Sequence, residues 1–295
     1  MHLTPLRPLD VDRPMSAGHR FLSAASGLVR VGDWLCVIAD DERHLGIFPA
    51  MEADGEAGRV IALLPGTLPS DAAARKAIKP DFEILVWLPA SDDASGALLA
   101  IGSGSTPQRM NAVRIELAPD ATAARTTLFD LSSLFARLAA MVDQVNLEGA
   151  IVRDDRLILF NRGNMSAPAT HIFETSLSSA TGGAVAEIRL IKKMTLPLCD
   201  GVPLSVTDAA LLDDGRIMLS AVAEATGDSY ADGELAGAAL ILLDADFEVM
   251  QVRILDAAVK VEGITAHQTA SGVKLLCVTD ADDPDRPSML YAASL

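Results

Sequence analysis

Five polar side chains recur at nearly even intervals along this chain of 295 residues, and together they could do chemistry. They are Ser26, Glu83, Glu148, Asp208 and Glu262, which lie 57, 65, 60 and 54 residues apart. If the fold brought them to one place, the four carboxylates would repel one another and would need a compensating cation. Oxygen ligands favour Ca²⁺ or Mg²⁺, and a wide ring with many ligands favours Ca²⁺. The alternative is that these side chains cap backbone amides of a neighbouring element, which needs no metal.

Each of the five residues begins the same local pattern: an apolar stretch, a turn and a second apolar stretch. In the third copy the two stretches are 147–152 and 157–160, and Asp154-Asp155 lies between them. Two apolar runs around a tight turn that carries Asp, Asn or Gly predict a β-hairpin. Two further strand-like runs follow each of the first four hairpins. Four strands in about 59 residues are typical of a propeller blade, so the repeat predicts an all-β, five-bladed β-propeller.

The repeat covers the whole chain, so we expect a single domain over residues 1–295 with blades that start near 26, 83, 148, 208 and 262. The fifth copy has only one strand-like run after its hairpin, at 288–295. The segment 2–8 is therefore expected to supply the missing outer strand and to close the ring. Short helices are expected at 72–76 and over 131–142, the second because its apolar residues have helical spacing.

Composition narrows the classes of function. The chain carries 24 Lys and Arg against 40 Asp and Glu, a net charge of −16, which argues against binding to nucleic acid or to an anionic membrane surface. An apolar content of 50% excludes a disordered chain. No apolar run reaches the roughly 20 residues of a transmembrane helix, and the first residues lack the apolar core of a signal peptide. Cys36, Cys199 and Cys277 are scattered, which favours reduced thiols and a cytoplasmic location.

The loops on the face where the inner strands of a propeller begin are polar. We expect the following side chains there to bind an anionic ligand: Arg43, Arg109, Asn111, Arg162 and Asn164. Guanidinium groups suit a phosphate or a carboxylate because they form two parallel hydrogen bonds. Asp40 and Asp280 lie in the same set of loops and are candidate general bases. The alternative is a solvated acidic rim that a few arginines balance.

Several long motifs resemble those of an uncharacterised bacterial β-propeller family of unknown function. The motifs include SAASGLVRVGDWLCVIADD, KPDFEIL, NLEGA, SVTDAALLDDGRI and VTDADDPDRP. They are spread over nearly the whole chain, so the resemblance is not confined to one blade. It implies the same fold for this chain, but it brings no activity with it.

Shorter elements are similar to those of the calcium-activated nucleotidases, or apyrases, which are five-bladed propellers. The similar elements are Ser26-Gly27-Leu28, Phe82-Glu83, Thr207-Asp208 and Val261-Glu262-Gly263. The resemblance implies a Ca²⁺ in the central channel with these ligands, to which Asp208 is adjacent: Ser26, Glu83, Glu148, Thr207 and Glu262. Thr207 stands where the family has serine, and the long nucleotide-binding segments of the family are not evident. The resemblance therefore supports a bound metal better than it supports nucleotidase activity.

These features together predict a propeller with Ca²⁺ or Mg²⁺ in its channel and a small anionic ligand or metal-complexed phosphate as its partner. The expected activity is hydrolysis of a phosphoester or phosphoanhydride, in which the metal polarises a phosphoryl oxygen while Arg109 and Arg162 neutralise the developing charge. One alternative is a propeller that binds a ligand or a protein without catalysis and holds a structural metal. Another is a glycoside hydrolase with paired carboxylates, although only Tyr230 and a few other aromatic residues are available for sugar stacking.

Overall fold

The computed structural model describes residues 1–50, 56–90, 96–184, 187–226, 233–257, 259–270 and 272–295. Within these residues the chain forms five antiparallel sheets, which are the blades of a five-bladed β-propeller. The predicted fold class is therefore confirmed. Tyr230, the aromatic residue considered above for sugar stacking, lies outside the described residues.

Strand β1 (Thr4–Pro8) precedes the first three blades, in which the strands pair in sequence order from the innermost to the outermost. Blade 1 contains β2 to β5, at Ala25–Val31, Trp34–Ala39, His44–Pro49 and Arg59–Ala62. Blade 2 contains β6 to β9, at Phe82–Leu88, Ala97–Gly102, Asn111–Leu117 and Ala124–Asp130. Blade 3 contains β10 to β13, at Leu147–Arg153, Arg156–Asn161, Ala169–Ser176 and Arg189–Thr195.

Blades 4 and 5 depart from this plan in two ways. Blade 4 begins with a two-residue strand, β14, so its sheet has five strands, β14 to β18, at Leu198–Cys199, Val202–Leu211, Ile217–Glu224, Leu235–Leu243 and Val249–Ile254. Blade 5 contains β19 to β21, at Lys260–Thr269, Gly272–Asp280 and Met289–Ser294. Its fourth strand is β1, which pairs antiparallel with β21. The prediction that the N-terminal segment closes the ring is confirmed.

Two short helices decorate the ring. Helix α1 (Ala72–Ile78) precedes blade 2, and the side chain of Asp71 caps it by accepting a hydrogen bond from the backbone of Ala74. Helix α2 (Ser132–Ala139) lies between blades 2 and 3 and packs three buried apolar side chains onto their core. Single 3₁₀ turns occur at Pro107–Arg109 and Leu177–Ala180. None of the helices in the described residues combines the length and the apolar character that crossing a membrane requires.

The inner strand of every blade contains one β-bulge. The pairing register shifts at the following residues: Ser26, Glu83, Glu148, Thr207 and Glu262. A bulge leaves one residue out of the ladder and turns its side chain in a new direction. The structure therefore corrects the repeat in blade 4, where the equivalent residue is Thr207 and not Asp208, and the intervals become 57, 65, 59 and 55.

Glycine follows the bulge in blades 1, 3 and 5 because the inner strands approach one another closely there. A Cβ atom on Gly149 would lie 2.9 Å from the backbone nitrogen of Ala209 in blade 4. A Cβ atom on Gly263 would lie 2.9 Å from the backbone of Gly27 in blade 1. Both separations are too short for a real side chain. The Ser-Gly and Glu-Gly pairs of the sequence thus combine a bulge residue with a close contact between blades.

The hydrophobic core lies between neighbouring blades. Between blades 3 and 4, for example, Ile151 and Phe160 pack with Leu204 and Leu219, and all four are buried. The inner strands read as continuous apolar runs because both of their faces meet another blade. The three cysteines are unpaired and buried in this core, in agreement with the reduced thiols expected from their spacing.

Candidate functional site

A cavity of about 220 Å³ lies at the end of the central channel where the bulges are, and we call it the channel-mouth cavity. Helix α1 and the segment 282–284 also border it. Eight of the residues predicted from the sequence line it: Ser26, Asp40, Glu83, Arg109, Glu148, Arg162, Glu262 and Asp280. The fold thus brings the bulge carboxylates of blades 2, 3 and 5 to one place, together with basic side chains.

Thr207, the bulge residue of blade 4, does not line this cavity. Its hydroxyl donates to the backbone carbonyl of Val261 in blade 5 at 2.6 Å and lies 2.9 Å from the hydroxyl of Ser220. The hydroxyl of Ser26 makes the equivalent bond, 2.5 Å long, to the carbonyl of Phe82 in blade 2. Both hydroxyls therefore tie one inner strand to the next, and only Ser26 also faces the cavity.

Asp208 is also absent from the described lining of the cavity. Its carboxylate accepts one hydrogen bond from the backbone of Ala209 at 2.7 Å and one from the backbone of Ile264 in blade 5 at 2.8 Å. Burial raises the pKa of Asp208 well above its ordinary value, while these two bonds act in the opposite direction. The expected position of Asp208 beside a metal is thus corrected: the residue caps backbone amides of the adjacent blade.

Three of the predicted ligand-binding residues also lie outside the channel-mouth cavity. Arg43 donates to the carbonyl of Pro65, after β5, at 2.7 Å, and Asn111 donates to the carbonyl of Gln108, in the turn before β8, at 2.9 Å. Asn164 borders a neighbouring cavity of about 500 Å³ and shapes its loop by accepting two backbone hydrogen bonds. Of the five predicted ligand-binding residues, only Arg109 and Arg162 face the channel mouth.

One side of the cavity is built around Lys260, the first residue of β19. Its Nζ lies 2.8 Å from Asp282 Oδ1, 3.2 Å from Glu224 Oε1, 3.4 Å from Glu262 Oε1 and 3.8 Å from Asp280 Oδ2. We call these five residues the Lys260 wall. Burial lowers the pKa of Lys260, but the surrounding carboxylates outweigh it and raise the pKa well above its ordinary value. The ammonium therefore stays charged among four carboxylates.

Arg162, just after β11 in blade 3, also pairs with carboxylates of the cavity. Its guanidinium contacts Glu148 at 3.3 Å and also pairs with Glu224. Glu148 receives a second hydrogen bond, 2.6 Å long, from the amide of Asn146. Burial raises the pKa of Glu148 to about 7, although Arg162 and Lys260 lower it. The bulge carboxylate of blade 3 is therefore already occupied by partners from the protein.

A second group of charged side chains differs, and we call Asp40, Asp81, Glu83 and Lys79 the Glu83 wall. One oxygen from each of the three carboxylates lies within 4.8 Å of the others. Lys79 pairs with Asp40 and, at 2.9 Å, with Asp81, and Arg109 lies 2.8 Å from Asp81. Glu83 is half-buried, faces the cavity and receives no hydrogen bond from the residues that the structure describes.

The electrostatics of Glu83 follow from this isolation. Burial raises its pKa well above the ordinary value, and the charges of Glu148, Asp81 and Asp40 raise it further. Lys79 lowers it without removing the shift. A raised carboxyl pKa means that the protonated form is favoured more than it would be in water, and a cation at Glu83 would have to displace that proton. Of the three carboxylates of the Glu83 wall, Glu83 is the one without a hydrogen bond or an ion pair to a described residue.

Four residues at this site were not singled out from the sequence: Lys79, Asp81, Glu224 and Lys260. A signal for three of them is present, because Asp81 and Lys79 lie two and four residues before Glu83, and Lys260 lies two residues before Glu262. Residues two apart on a strand share a face, so a charged residue beside a channel carboxylate points toward the same region. Glu224 belongs to a different strand, β16, and no local pattern links it to the channel.

Comparisons with known proteins support the fold and leave the activity open. A family model described as "Family of unknown function (DUF6929)" matches residues 21–295. A solved structure of glucose dehydrogenase is similar at a TM-score of 0.51 and 11% identity, over 99% of this chain and 99% of that one. A putative glycoside hydrolase from Parabacteroides distasonis is similar at a TM-score of 0.43 and 12% identity, over 97% and 92% of the two chains. Comparison with curated proteins found no match.

Proposed function

This chain belongs to a family of unknown function, DUF6929, and from its channel-mouth cavity we propose a metal-dependent hydrolase of small phosphoesters or phosphoanhydrides. The proposed cation is Ca²⁺, or Mg²⁺, at Asp40, Asp81 and Glu83. The observation that carries the proposal is Glu83, a cavity-facing carboxylate with no hydrogen-bond donor among the described residues, beside two more carboxylates within 4.8 Å. The proposed substrate is a small anionic ligand or a metal-complexed phosphate.

The residues fit a metal on the Glu83 wall and do not fit one in a ring around the channel axis. In that ring Glu148 is paired with Arg162, Glu262 with Lys260, and Thr207 lies outside the cavity. The Glu83 wall instead offers three hard oxygen ligands, which Ca²⁺ and Mg²⁺ prefer. A divalent cation held there would supply polarisation of a phosphoryl oxygen.

The basic side chains of the cavity supply the other half of a phosphate site. Arg109 and Lys79 lie beside the proposed cation ligands, and Arg162 faces them from blade 3. Guanidinium and ammonium groups bind phosphoryl oxygens and neutralise charge that develops on them. These three side chains would orient the phosphoryl group toward the carboxylates of the channel mouth.

Asp280 is the proposed general base. Burial raises its pKa well above the ordinary value, and Asp40 and Asp282 raise it further, while Lys260 lowers it. A base whose pKa lies closer to neutrality accepts a proton more readily than an ordinary carboxylate does. In the proposed step Asp280 takes the proton of the attacking water as the new bond to phosphorus forms and the bond to the leaving oxygen breaks. Asp40, the other base expected from the sequence, is assigned to the proposed cation and not to proton transfer.

A second candidate is a propeller that binds its ligand without catalysis. One observation favours it: Lys79, Arg109, Arg162 and Lys260 are each already paired with a carboxylate of the protein, so an incoming anion would have to compete for them. The glycoside hydrolase alternative is less well supported. No aromatic side chain borders the channel-mouth cavity in the described part of the chain, so a sugar ring has no stacking partner there.

Hydrolysis of a panel of phosphate compounds, followed by the product of each, tests the proposed activity. The full chain is assayed with aryl phosphates, diesters, nucleotides and pyrophosphate in Ca²⁺, in Mg²⁺ and in chelator. We expect turnover that requires a divalent cation, that Glu83→Gln abolishes, and that Glu248→Gln, on an exposed side chain in the turn between β17 and β18, leaves unchanged. Cation binding without turnover on any substrate would favour the binding propeller. Turnover that survives in chelator, or in Glu83→Gln, would overturn the proposal.

The cytoplasmic location stays part of the proposal. Its support is the state of the cysteines, which are unpaired and buried, as is usual in reducing compartments. Fractionation of cells that make the full chain tests it, with the cytoplasmic fraction expected to hold the protein.

A further inference from the structure

We infer that Lys260 is a built-in counter-ion that takes the place of a metal among the carboxylates of the Lys260 wall, so that removing it turns this wall into a divalent-cation site. The inference concerns carboxylates other than the three proposed to bind the cation on the Glu83 wall. It therefore goes beyond the proposed function and does not depend on catalysis.

The position of Lys260 carries the argument. The residue begins β19, directly across from Asp280 in β20, and lies two residues before Glu262 at the bulge. Its ammonium is within 4 Å of four carboxylates, which belong to blades 4 and 5. With 7% of its surface exposed, the residue is almost fully removed from solvent. The ammonium of Lys260 thus lies where those four carboxylates come together.

Hydrogen bonding around Lys260 is incomplete. The ammonium donates to Asp282 at 2.8 Å, whereas Glu224 Oε1 accepts no hydrogen bond from the described residues. Glu262 Oε1 accepts no hydrogen bond from the described residues, although it lies 3.4 Å from the Lys260 ammonium. Without Lys260, the carboxylates of the wall would keep only Arg162, which contacts Glu224. Buried like charges without a counter-ion are strongly destabilising, and oxygen ligands in that arrangement suit Ca²⁺.

The test compares Lys260→Met with the conservative Lys260→Arg and with the double variant Lys260→Met/Glu262→Gln. All are made in a Glu83→Gln background, which removes the cation site of the proposed function. Lys192→Met is the matched control, because it breaks the pair of Lys192 with the exposed Glu248. Melting temperatures are measured near neutral pH in chelator and in millimolar Ca²⁺, and Ca²⁺ binding is measured by calorimetry.

In chelator, Lys260→Met should lower the melting temperature by about 6 to 10 °C, the shift expected when one partner of a buried charge cluster is lost from a chain of this size. Ca²⁺ should restore about half of that loss or more and should bind once per chain, whereas the background protein should bind none. The double variant should be less destabilised than Lys260→Met, because it removes one of the uncompensated carboxylates. Lys260→Arg should melt close to the background protein and Lys192→Met within about 2 °C of it.

A loss of stability that neither Ca²⁺ nor Glu262→Gln reduces would overturn the inference, because Lys260 would then act through packing. An unchanged melting temperature in Lys260→Met would overturn it as well. If Lys260→Met does not fold without Ca²⁺, the inference requires that Lys260→Arg and the double variant do fold. Failure of the proposed function is a separate result, since it would appear as absent cation binding in the protein with Glu83 intact.

Discussion

The two walls of the channel-mouth cavity are made of the same kinds of side chains but balance their charges differently. On the Lys260 wall one ammonium lies within 4 Å of four carboxylates, and Arg162 adds a second cation beside them. On the Glu83 wall the cations pair with the other two carboxylates, and Glu83 itself has no hydrogen bond to a described residue. On the first wall a cation of the protein contacts every carboxylate, and on the second wall Glu83 lacks such a contact with a described residue.

This difference shows why a set of carboxylates does not by itself indicate a metal. What matters is whether the protein places its own cations among them. Glu262 and Glu83 occupy equivalent bulge positions in blades 5 and 2, and the residue two positions earlier is Lys260, at the start of β19, in one case and Asp81, just before β6, in the other. The neighbouring charge is thus positive beside Glu262, which we regard as structural, and negative beside Glu83, which we propose as a ligand.

The largest expected effect is a loss of stability when Arg162, which pairs with two buried carboxylates, is replaced. Arg162→Met leaves Glu148 and Glu224 buried without their shared partner, so the free energy of unfolding should fall by about 3 to 5 kcal/mol. Urea unfolding measures it. The matched control is Arg189→Met, which breaks an exposed pair with Glu174 and should cost under about 1 kcal/mol. Equal losses in the two variants would contradict the distinction between buried and exposed pairs.

The next effect is on pH dependence. The pKa of Glu148 is about 7 in the folded protein and near its ordinary 4.5 in the unfolded chain, so the folded state binds the proton more tightly. Its stabilising contribution is complete below about pH 4.5 and is lost as pH rises through 7, with a total of about 3 kcal/mol. The raised pKa values of Glu83 and Glu262 act in the same direction.

Urea unfolding between pH 5 and pH 8 in chelator measures this slope. We expect the unfolding free energy of the wild type to decline across the window and the decline to be shallower in Glu148→Gln. Added Ca²⁺ should flatten the part that comes from Glu83, because the cation competes with the proton there. Stability that rises with pH in Glu148→Gln and in the wild type alike would contradict the burial of these carboxyl groups.

The smallest expected effect is on Ca²⁺ affinity at the Glu83 wall. Lys79→Met removes the ammonium that pairs with Asp40 and Asp81, so Ca²⁺ affinity should rise about tenfold. Calorimetry with the full chain measures it, with Lys274→Met, an exposed lysine of β20, as the control that should leave affinity unchanged. Weaker binding in Lys79→Met would show that the ammonium supports the site instead of competing with the cation.

Most of the fold could be predicted from the sequence because repeated hairpins leave a strong pattern. The blade starts, the five-bladed ring and its closure by β1 follow from the intervals and from the single strand left in the fifth copy. The register of blade 4 could not be predicted from the repeat alone. Thr207 and Asp208 are adjacent and both polar, and only the strand pairing shows which one stands at the bulge.

The candidate site was harder to predict for a physical reason. Convergence of Glu83, Glu148 and Glu262 follows from symmetry, but pairing depends on distances between blades that no local pattern encodes. Arg162 reaches Glu224 across 62 positions of the chain, so this pair is invisible before folding. Arg43 and Asn111 look like ligand-binding residues because they are polar, yet Arg43 donates to a carbonyl in the segment after β5 and Asn111 to a carbonyl in the turn just before it.

Ca²⁺ titration by calorimetry is the measurement that tests the central claim most directly. The full chain is compared as wild type, Glu83→Gln and Glu262→Gln, which carry the same chemical change at equivalent bulges. The account predicts one Ca²⁺ per chain in the wild type, the same in Glu262→Gln and none in Glu83→Gln. Equal loss of binding in both variants would place the cation on the channel axis, and no binding in the wild type would contradict the account altogether.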